Sequence, residues 1–386
     1  MSKENQLKEI HTSGKAYAIY KSINGFDLYT DFSKKITLNN KNVSGFLNKK
    51  RISKKPKKTD LFIGFFGYEL LNNLIGIKVP KQKSMNFPKG IFYKPEKKIS
   101  YSNNLVNYKI DKIRLKKKFK ININRKSYTK IFDKFKKKIK SGETYQIKIC
   151  TKYKLKSAID PLDFFCRLSK TNLAPEAFMI RDKDYSIISC SPENLITKKG
   201  SLITTKPIAG TVRKNKRMNK IKALSYFRNN LKETKEHNMI VDMERSDMSR
   251  ICKVGTVKLS KEKAVEEYKD LFHYVSLIKG KVKKNIKNID IIKAMMPGGS
   301  VIGCPKISTL NLLNNQEKEN RNIYTGSFGY LKFNGDMKFN IIIRSILNYK
   351  NISEISVASG VVVDSNAKHE FSENFIKAKA LIDLFK

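Results

Sequence analysis

The stretch Pro297-Gly-Gly-Ser-Val-Ile-Gly-Cys-Pro-Lys306 stands apart from the rest of a chain that is rich in lysine and long aliphatic residues. Glycine lets a backbone approach a ligand closely or adopt a positive φ, and Pro305 fits the first turn of a helix. Leu310, Leu312 and Leu313 then follow at helical spacing. We therefore predict a glycine-rich turn that leads into a helix, whose free N–H groups and positive dipole end suit an anion.

The composition indicates a large protein core and gives no sign of export. The chain has 386 residues, 40% of them hydrophobic, which is enough for one large domain or two. It contains no apolar run long enough to span a bilayer, and its first residues lack a hydrophobic signal region. The five cysteines are scattered without a CxxC pair. We expect a cytoplasmic protein with reduced, mostly buried thiols.

The formal net charge of +46 raises the possibility of nucleic-acid binding. The lysines, however, are spread through every segment, and Asn, Ile, Phe and Tyr are also abundant while Trp is absent. These residues share A/T-rich codons, so a compositional drift of the genome explains the bias economically. Nucleic-acid binding is therefore a minority interpretation, and binding that weakens steeply with salt would favour it.

Hydrophobic periodicity predicts an α+β protein with large antiparallel sheets, because strands come in runs and no steady βαβ rhythm is present. We expect strands or hairpins at 15–36, 60–71, 145–155, 185–189, 194–198, 201–205, 325–333, 338–347 and 354–363, and helices at 127–141, 217–243, 261–268 and 370–385. Ser127 is the expected cap of the first helix. The strand after it should be half-buried, since apolar and polar residues alternate along it.

Two lysine-rich runs, Lys49–Lys58 and Lys94–Lys120, are expected to be solvated surface. The second run divides the chain into a short N-terminal lobe, 1–118, and a catalytic region, 119–386.

Two acidic pairs stand out in this basic chain, Glu233 with Glu236 and Glu370 with Glu373. A spacing of three residues places both carboxylates of a pair on one face of a helix. Four carboxylates from two helices could hold Mg²⁺, which prefers oxygen ligands. The alternative is a solvated face paired with nearby lysines, and for a single pair this is the commoner case.

Three further residues are candidates for chemistry or ligand binding. Glu193 lies between two short strands, where burial would raise its pKa and suit a general acid, although it could also be an ordinary turn residue. His273 lies in a strongly apolar run and is either a satisfied core histidine or a positioned acid. Arg344 is a charge on an apolar strand, where a ligand carboxylate could be its partner. The segment Thr204–Arg213 combines hydroxyls with cations and could bind a carboxylate.

The order of these motifs resembles that of chorismate-utilising enzymes, in particular the first components of anthranilate synthase and aminodeoxychorismate synthase. The motifs are Gly142-Glu-Thr-Tyr-Gln146, Ser191-Pro-Glu193, Pro207-Ile-Ala-Gly-Thr211, Glu236-His-Asn-Met-Ile-Val-Asp242, Arg245-Ser-Asp247, His273, Pro297–Lys306, Tyr324-Thr-Gly-Ser-Phe-Gly-Tyr330, Ile343-Arg-Ser345 and Ser359-Gly-Val-Val-Val-Asp364. The resemblance is dense over 125–386 and reaches weakly into the N-terminal lobe through Gly64-Phe-Phe-Gly-Tyr68.

The resemblance implies a sandwich of two large antiparallel sheets with helices outside, and it assigns roles to residues. Mg²⁺ would be held by Glu236 and Glu373, with Glu233 and Glu370 in supporting places. Glu193 would protonate the departing C4 hydroxyl of chorismate, with His273 and Ser300 also in catalytic positions. The implied substrate-binding residues are Gln146, Ala209, Gly210, Thr211, Gly298, Gly299, Tyr324, Arg344, Gly360 and Lys377.

The same resemblance narrows the reaction. Gln146 stands where relatives that add water to chorismate carry a lysine base, so ammonia is the expected nucleophile. Addition at C2 with loss of pyruvate would give anthranilate, while delivery of the amino group to C4 would give 4-amino-4-deoxychorismate for folate synthesis. Because no Gly-x-Cys-x-Gly nucleophile motif is present, a separate glutamine amidotransferase is the expected source of ammonia.

Some of the motifs favour one of the two products and some favour the other. Ala209 favours anthranilate synthase, because the best-known aminodeoxychorismate synthases place a nucleophilic lysine there. The amino-acid sequences of Pro297–Lys306, Thr325–Tyr330 and Phe339–Arg344 favour aminodeoxychorismate synthase. The N-terminal lobe also lacks the Leu-Leu-Glu-Ser motif that binds feedback tryptophan. We expect aminodeoxychorismate synthase, and Ala209 then implies a route without an enzyme-bound lysine intermediate.

Overall fold

The structure is a computed structural model that describes residues 3–49, 57–80, 85–102, 118–215, 217–268 and 271–386. The two lysine-rich runs predicted at Lys49–Lys58 and Lys94–Lys120 lie largely outside the described residues.

Helices and strands alternate irregularly along the described chain. The α-helices are α1 (Lys3–Thr12), α2 (Val43–Asn48), α3 (Tyr68–Leu74), α4 (Arg125–Lys140), α5 (Pro161–Asn172), α6 (Lys220–Asn229), α7 (Leu231–Ile251), α8 (Asn288–Met295), α9 (Lys306–Gln316) and α10 (Ala367–Ile382). The strands are β1 (Tyr17–Ser22), β2 (Gly25–Thr37), β3 (Leu61–Phe66), β4 (Gly90–Tyr101), β5 (Lys120–Ile121), β6 (Gln146–Lys156), β7 (Glu176–Arg181), β8 (Tyr185–Ser191), β9 (Asn194–Lys199), β10 (Leu202–Lys206), β11 (Ile208–Arg213), β12 (Lys258–Glu267), β13 (Leu271–Lys281), β14 (Gly303–Cys304), β15 (Ser327–Lys332), β16 (Met337–Asn340), β17 (Ser345–Tyr349) and β18 (Ile352–Val361).

The strands form two antiparallel halves that share the long antiparallel pair of β2 and β4. One half continues from β4 through β3, β15, β16, β9 and β10 to β13, which also pairs with β11 and β12. The other half continues from β2 through β1, β7, β8, β17 and β18 to β6, which also pairs with β5 and β14. Strands β2 and β4 pair at ten positions, from Phe26 with Tyr101 to Thr37 with Ile91.

A shared core lies between the halves. It joins Ile63 and Phe65 of β3 to Phe178 of β7 and Phe328 of β15, and the rings of Phe178 and Phe328 stack at 3.8 Å. Helices α2, α3, α7 and α8 cover the outer face of one half, and α1, α5 and α10 cover the other. Removing this apolar surface from water is the main force that keeps the layers together. The predicted α+β sandwich with outer helices is confirmed.

The N-cap of helix α4 lies three residues before the predicted cap. The side chain of Asn124 accepts a hydrogen bond from the Ser127 backbone N–H at 2.9 Å. Asn124 is therefore the N-cap, and Ser127 is the third residue of the helix. The predicted apolar stripe is buried at Tyr128, Phe132 and Phe135, among others.

Two further helix predictions need correction. The helix expected at 217–243 is two helices, α6 and α7, which separate at Asn230, and the Asn230 side chain caps α7. The helix expected at 261–268 is wrong, because this segment is the end of strand β12. Its residues favour a helix locally, but seven positions of β12 pair with β13, and this tertiary pairing outweighs the local preference. Residues 60–71 also end in helix α3 after β3.

Strand β6 is buried on both faces, and the half-buried strand predicted there is wrong. Ile147 and Ile149 pack with the buried face of α4. Gln146 on the opposite face is also buried, and Lys148 next to it is only 13% exposed. The polar face of β6 therefore lies inside the protein, where it needs polar partners.

The stretch Pro297–Lys306 pairs with the start of β6. It contains a short 3₁₀ turn, Gly299–Val301, and then β14, which pairs with Gln146 and Ile147. Gly303 has φ +133°, and a Cβ there would lie 2.0 Å from the backbone oxygen of Gln146. Helix α9 follows as predicted, although Pro305 is its N-cap and not part of its first turn.

The thiols agree with the prediction. Cys150, Cys166, Cys190 and Cys252 are buried, Cys304 is partly buried, and all five are free. Within the described residues, no helix is both long and apolar enough to cross a membrane.

The division at residue 118 stays a prediction. Strands β1 and β3 precede that position, and they pair with β7 and β15, which follow it. The N-terminal residues thus contribute to both halves of the sandwich.

We predict that Gly303→Ala destabilises the protein by about 2 kcal/mol or more, because a Cβ at positive φ would also meet the backbone of β6. The free energy of unfolding in urea measures this. Gly45→Ala is the matched control, since no atom lies within 4 Å of the added Cβ within helix α2. The control should be neutral or slightly stabilising. Equal stability of the two variants would contradict the prediction.

Candidate active site

A cavity of about 190 Å³ opens where the ends of β11, β13 and β18 meet helix α10. It is lined by Lys148, Pro192, Glu193, Ile208, Gly210, Thr211, His273, Ser300, Val301, Tyr324, Ile343, Arg344, Ser356, Val357, Ala358 and Lys377. Eight of the seventeen residues predicted to form the site are among them. A buried acid, a histidine and several cations therefore face one enclosed space.

Glu193 is a buried carboxyl that can hold a proton near neutral pH. It lies between β8 and β9 and is only 5% exposed. Burial raises its pKa to about 7, although a hydrogen bond from Ser300 and the positive charge of Lys148 oppose the rise. The Ser300 hydroxyl donates to Glu193 Oε1 at 2.7 Å. The raised pKa expected for a general acid is therefore present, and Ser300 orients the carboxyl.

His273 is neutral in this environment. Its Nδ1 lies 2.9 Å from the Thr211 hydroxyl, and the two residues are cross-strand partners on β13 and β11. Burial, together with the nearby charge of Arg344, lowers the pKa of His273 to about 4. A neutral imidazole can accept or donate a hydrogen bond, but at neutral pH it carries no positive charge.

Arg344 presents a cation to the cavity. Its backbone has φ +50°, which is uncommon for a residue with a side chain. Burial lowers the pKa of the guanidinium, while the Cys190 thiol and Glu193 act against this. Within the described ranges, no carboxylate lies at ion-pair distance from it. A ligand carboxylate would give this half-buried charge a partner.

Glu233 and Glu236 lie on α7, and Glu370 and Glu373 lie on α10. Glu236 accepts hydrogen bonds at Oε1 from Gln146 at 2.7 Å and from Lys148 at 3.0 Å.

The acidic side chains are close enough to influence one another. The positive charge of Lys148 is the largest cause that lowers the pKa of Glu236 to about 2. Burial and then the charge of Glu236 raise the pKa of Glu233. Burial and then the charge of Glu373 raise the pKa of Glu370.

The two glutamates of α10 fit a hard cation. Glu370 is almost fully buried, and its Oε1 has no hydrogen-bond partner among the described residues. Potential ligand atoms of His369, Glu370 and Glu373 lie within 4.8 Å of one another. Carboxylate oxygens are the ligands that Mg²⁺ prefers. Glu233 and Glu236 of α7 do not belong to this tight group.

A profile of the chorismate binding enzyme family matches residues 110–383. The chain belongs to the chorismate binding enzyme family. It is 35% identical over 255 residues to aminodeoxychorismate synthase component 1 of Bacillus subtilis, covering 66% of this chain and 54% of that protein. It is 31% identical over 375 residues to anthranilate synthase component 1 of Buchnera aphidicola subsp. Pemphigus spyrothecae, covering 86% of this chain and 72% of that protein. The match spans about half the length of several other curated relatives.

The fold agrees with this membership. The crystal structure of anthranilate synthase component I from Streptococcus pneumoniae superposes with a TM-score of 0.75 over 96% of this chain and 90% of that chain, at 24% identity. This likeness establishes the fold.

The remaining predicted residues of this chorismate-binding enzyme lie behind the cavity wall. The Ala209 side chain packs with Ile240 and Met243 of α7, while its neighbours Ile208 and Gly210 face the cavity. Gly298 and Gly299 do not line the cavity either. A Cβ on Gly298 would meet Ile341 at 2.6 Å, and one on Gly299 would meet Met243 at 2.0 Å. The cavity is lined by Ser300 and Val301 of the 3₁₀ turn and not by the first turn of α9.

Lys148 is the cavity residue that sequence reasoning missed. It was one of many lysines in alternation along β6, and such an alternation normally marks a solvent-facing edge. The available signal was its position two residues after Gln146, because residues two apart share a face of a strand.

We predict that Glu193→Gln changes how stability depends on pH. Below pH of about 4.3, the glutamate is protonated in the folded and the unfolded chain. As the pH rises to 7, the unfolded chain releases the proton first, so wild type loses up to about 3 kcal/mol that the glutamine variant keeps. Urea unfolding at pH 4.5, 6 and 7.5 measures the widening difference.

The exposed Glu9→Gln substitution is the control and should show no such trend. Parallel curves for wild type and Glu193→Gln would contradict a raised pKa at Glu193.

Proposed function

We propose that this enzyme aminates chorismate with ammonia, replacing the C4 hydroxyl by an amino group to give 4-amino-4-deoxychorismate, a precursor of p-aminobenzoate and folate. The observation that carries the proposal is the buried Glu193, hydrogen-bonded by Ser300 and facing Arg344 and Lys377 across a cavity that fits a small dicarboxylate. The net reaction consumes chorismate and ammonia and releases water.

Glu193 supplies the proton for the leaving hydroxyl. A hydroxide is a poor leaving group, and protonation converts it to water. With a pKa of about 7, the carboxyl is partly protonated at neutral pH and can still release its proton readily. Ser300 donates its hydrogen bond to the ionised form, which steadies the carboxylate after the transfer.

The cations of the cavity bind the carboxylates of the substrate. Arg344 is half-buried beside the cavity without a protein carboxylate at ion-pair distance in the described ranges, so its planar guanidinium is available for a bidentate contact. Lys377 also lines the cavity, donates to the backbone oxygen of Ala358 at 3.1 Å, and pairs with Glu373 at 2.6 Å. Tyr324 contributes a buried aromatic wall.

A magnesium ion fits this proposal. Glu370 and Glu373 of α10 would hold it, with Glu233 and Glu236 of α7 on the opposing helix. When bound, Mg²⁺ orients a substrate carboxylate and neutralises charge that develops as the hydroxyl leaves.

The environment of Lys148 supports ammonia over water as the nucleophile. A lysine that activates water must lose its proton. Burial disfavours the charge on Lys148, but Glu236 and the other nearby glutamates outweigh burial and raise its pKa. Lys148 is therefore an ammonium and not a base, and Gln146 beside it cannot take a proton either.

The choice between the two aminated products rests on the sequence motifs. The amino-acid sequence of Pro297–Lys306 and the similarity to the Bacillus subtilis aminodeoxychorismate synthase component support amination at C4. Ala209 and the similarity to several anthranilate synthase components support the second candidate, the formation of anthranilate and pyruvate. Since the Ala209 side chain points toward α7, a residue at that position would need a long side chain to reach the substrate.

Ammonia would come from a separate glutamine amidotransferase subunit. Free ammonia is scarce at neutral pH because most of it is protonated. A partner that releases it next to the cavity would remove this limit.

We predict that the purified chain consumes chorismate when Mg²⁺ and an ammonium salt are supplied. The product should yield p-aminobenzoate only after an aminodeoxychorismate lyase is added. Absorbance of chorismate and chromatography of the products measure this. Direct appearance of anthranilate fluorescence would replace the first candidate by the second, and no consumption of chorismate would reject both.

We predict that Glu373→Gln lowers kcat/KM at least 100-fold while leaving the thermal unfolding temperature within a few degrees of wild type. The substitution removes a negative oxygen ligand but keeps the size of the side chain. Glu319→Gln, which removes a partly exposed partner of Lys154 outside the cavity, is the matched control and should keep its activity. Activity of Glu373→Gln near that of wild type would exclude a role for this residue in cation binding.

A further inference from the structure

Lys148 lines the cavity and forms an ion pair with Glu236 of α7. Its ammonium lies 3.0 Å from Glu236 Oε1, the same oxygen that the Gln146 amide contacts at 2.7 Å. The Lys148 side chain is only 13% exposed, and it lines the cavity together with Glu193 and Arg344. A single carboxylate oxygen therefore receives two donors from the same face of β6.

The backbone next to Lys148 leaves room for this arrangement. Gly360 on β18 is the cross-strand partner of Lys148. A Cβ on Gly360 would lie 2.7 Å from the Lys148 ammonium nitrogen and 3.0 Å from the Gln146 amide nitrogen. The glycine thus makes the space in which both donors reach Glu236. This gives Gly360 a physical role that differs from direct contact with a ligand.

The positive charge of Lys148 acts on every acidic group of the site. It lowers the pKa of Glu236 more than any other cause does, and it also acts in the same direction on Glu193, Glu233 and Glu373. Lys232 and Lys377 pair with the glutamates of α10. Among these cations, Lys148 is the one bound to the glutamate pair of α7.

We propose that Lys148 is a resident counter-ion that competes with a divalent cation for Glu236. With Lys148 bound, Glu236 is neutralised and satisfied, while Glu370 on the opposing helix keeps an oxygen without a hydrogen-bond partner. A cation that binds Glu236 must displace the ammonium from its Oε1. The displaced ammonium stays in the cavity, where a substrate carboxylate is the available partner. This inference rests on the proposed function only for the identity of the cation.

The proposal makes Lys148 a positioning residue that tunes cation affinity, and it has a direct test. We expect Lys148→Met to bind Mg²⁺ about tenfold more tightly than wild type, a size typical of coupling between sites in proteins. Isothermal titration of the full chain with MgCl₂, without chorismate or ammonia, measures the affinity. The methionine keeps the apolar stem and removes the charge.

Lys154→Met is the matched control for this titration. Lys154 lies on the same strand and forms an ion pair with Glu319, but it does not line the cavity. Its Mg²⁺ affinity should equal that of wild type. Lys148→Gln is a second neutral variant in case the methionine impairs folding, and it should also bind the cation more tightly.

A second variant pair separates competition from a merely structural effect. In a Glu236→Gln background the carboxylate for which Lys148 competes is gone. Adding Lys148→Met there should change Mg²⁺ affinity much less than it does in the wild-type background. A lysine that only supports local packing would change the affinity equally in both backgrounds, and this result would overturn the proposal.

The remaining outcomes are also decisive. Unchanged or weaker Mg²⁺ binding by both neutral variants would overturn the proposal, and so would the absence of Mg²⁺ binding to every variant and to wild type. Consumption of chorismate by wild type is measured separately. Its failure would reject the proposed function without altering the result of the titration.

Discussion

The structure depends on holding several like charges close together in a space from which water is partly excluded. The carboxyl groups in question are those of Glu193, Glu233, Glu236, Glu370 and Glu373. Repulsion in a poorly solvated site is costly, so each charge must be neutralised by protonation, by a cation or by hydrogen bonds. The two halves of the sandwich meet here, because β6, β18 and α10 of one half contribute Lys148, Gly360 and two of the acids, while α7 on the other half contributes two more. The fold brings these groups together, and the positive charge of Lys148 reduces the repulsion among them.

The protein meets this requirement differently for two glutamates. Glu193 has no strong cationic partner, so burial dominates and raises its pKa to about 7. Glu236 has Lys148 and Gln146 as donors, and these lower its pKa to about 2. The same side chain is thus a proton donor in one place and a fixed negative charge in the other. Such a separation of pKa values between neighbouring carboxyls is how a site assigns distinct roles to identical groups.

Local sequence signals correctly predicted the elements whose residues show a clear hydrophobic periodicity or turn motif. They failed where a contact distant in sequence determines the secondary structure. The stripe of α4 and the glycine-rich stretch before α9 were recognisable, because both follow short-range rules. Strand β12 was not recognisable, since its lysines and glutamates favour a helix locally and only the pairing with β13 makes it a strand. The hydrogen bond between Ser300 and Glu193 spans 107 positions and has no local signature. Lys148 was hidden for a statistical reason: in a chain with 80 lysines and arginines, one buried cation looks like all the others.

The excess of positive charge and the acidic cluster act over different distances. The net charge of +46 attracts a dianionic substrate from several ångströms to about 10 Å at moderate salt, which raises the rate of encounter. At contact, the glutamates of α7 and α10 would repel the same carboxylates that the surface attracted. Only a positive group placed between ligand and protein carboxylates can turn this repulsion into binding, and Arg344 and Lys377 account for part of that charge. Oε1 of Glu370 accepts no hydrogen bond within the described residues and lies 3.8 Å from the Lys232 ammonium, so it remains available to a cation. A divalent cation has enough charge to bridge both sides, which agrees with the magnesium ion that we propose for this site.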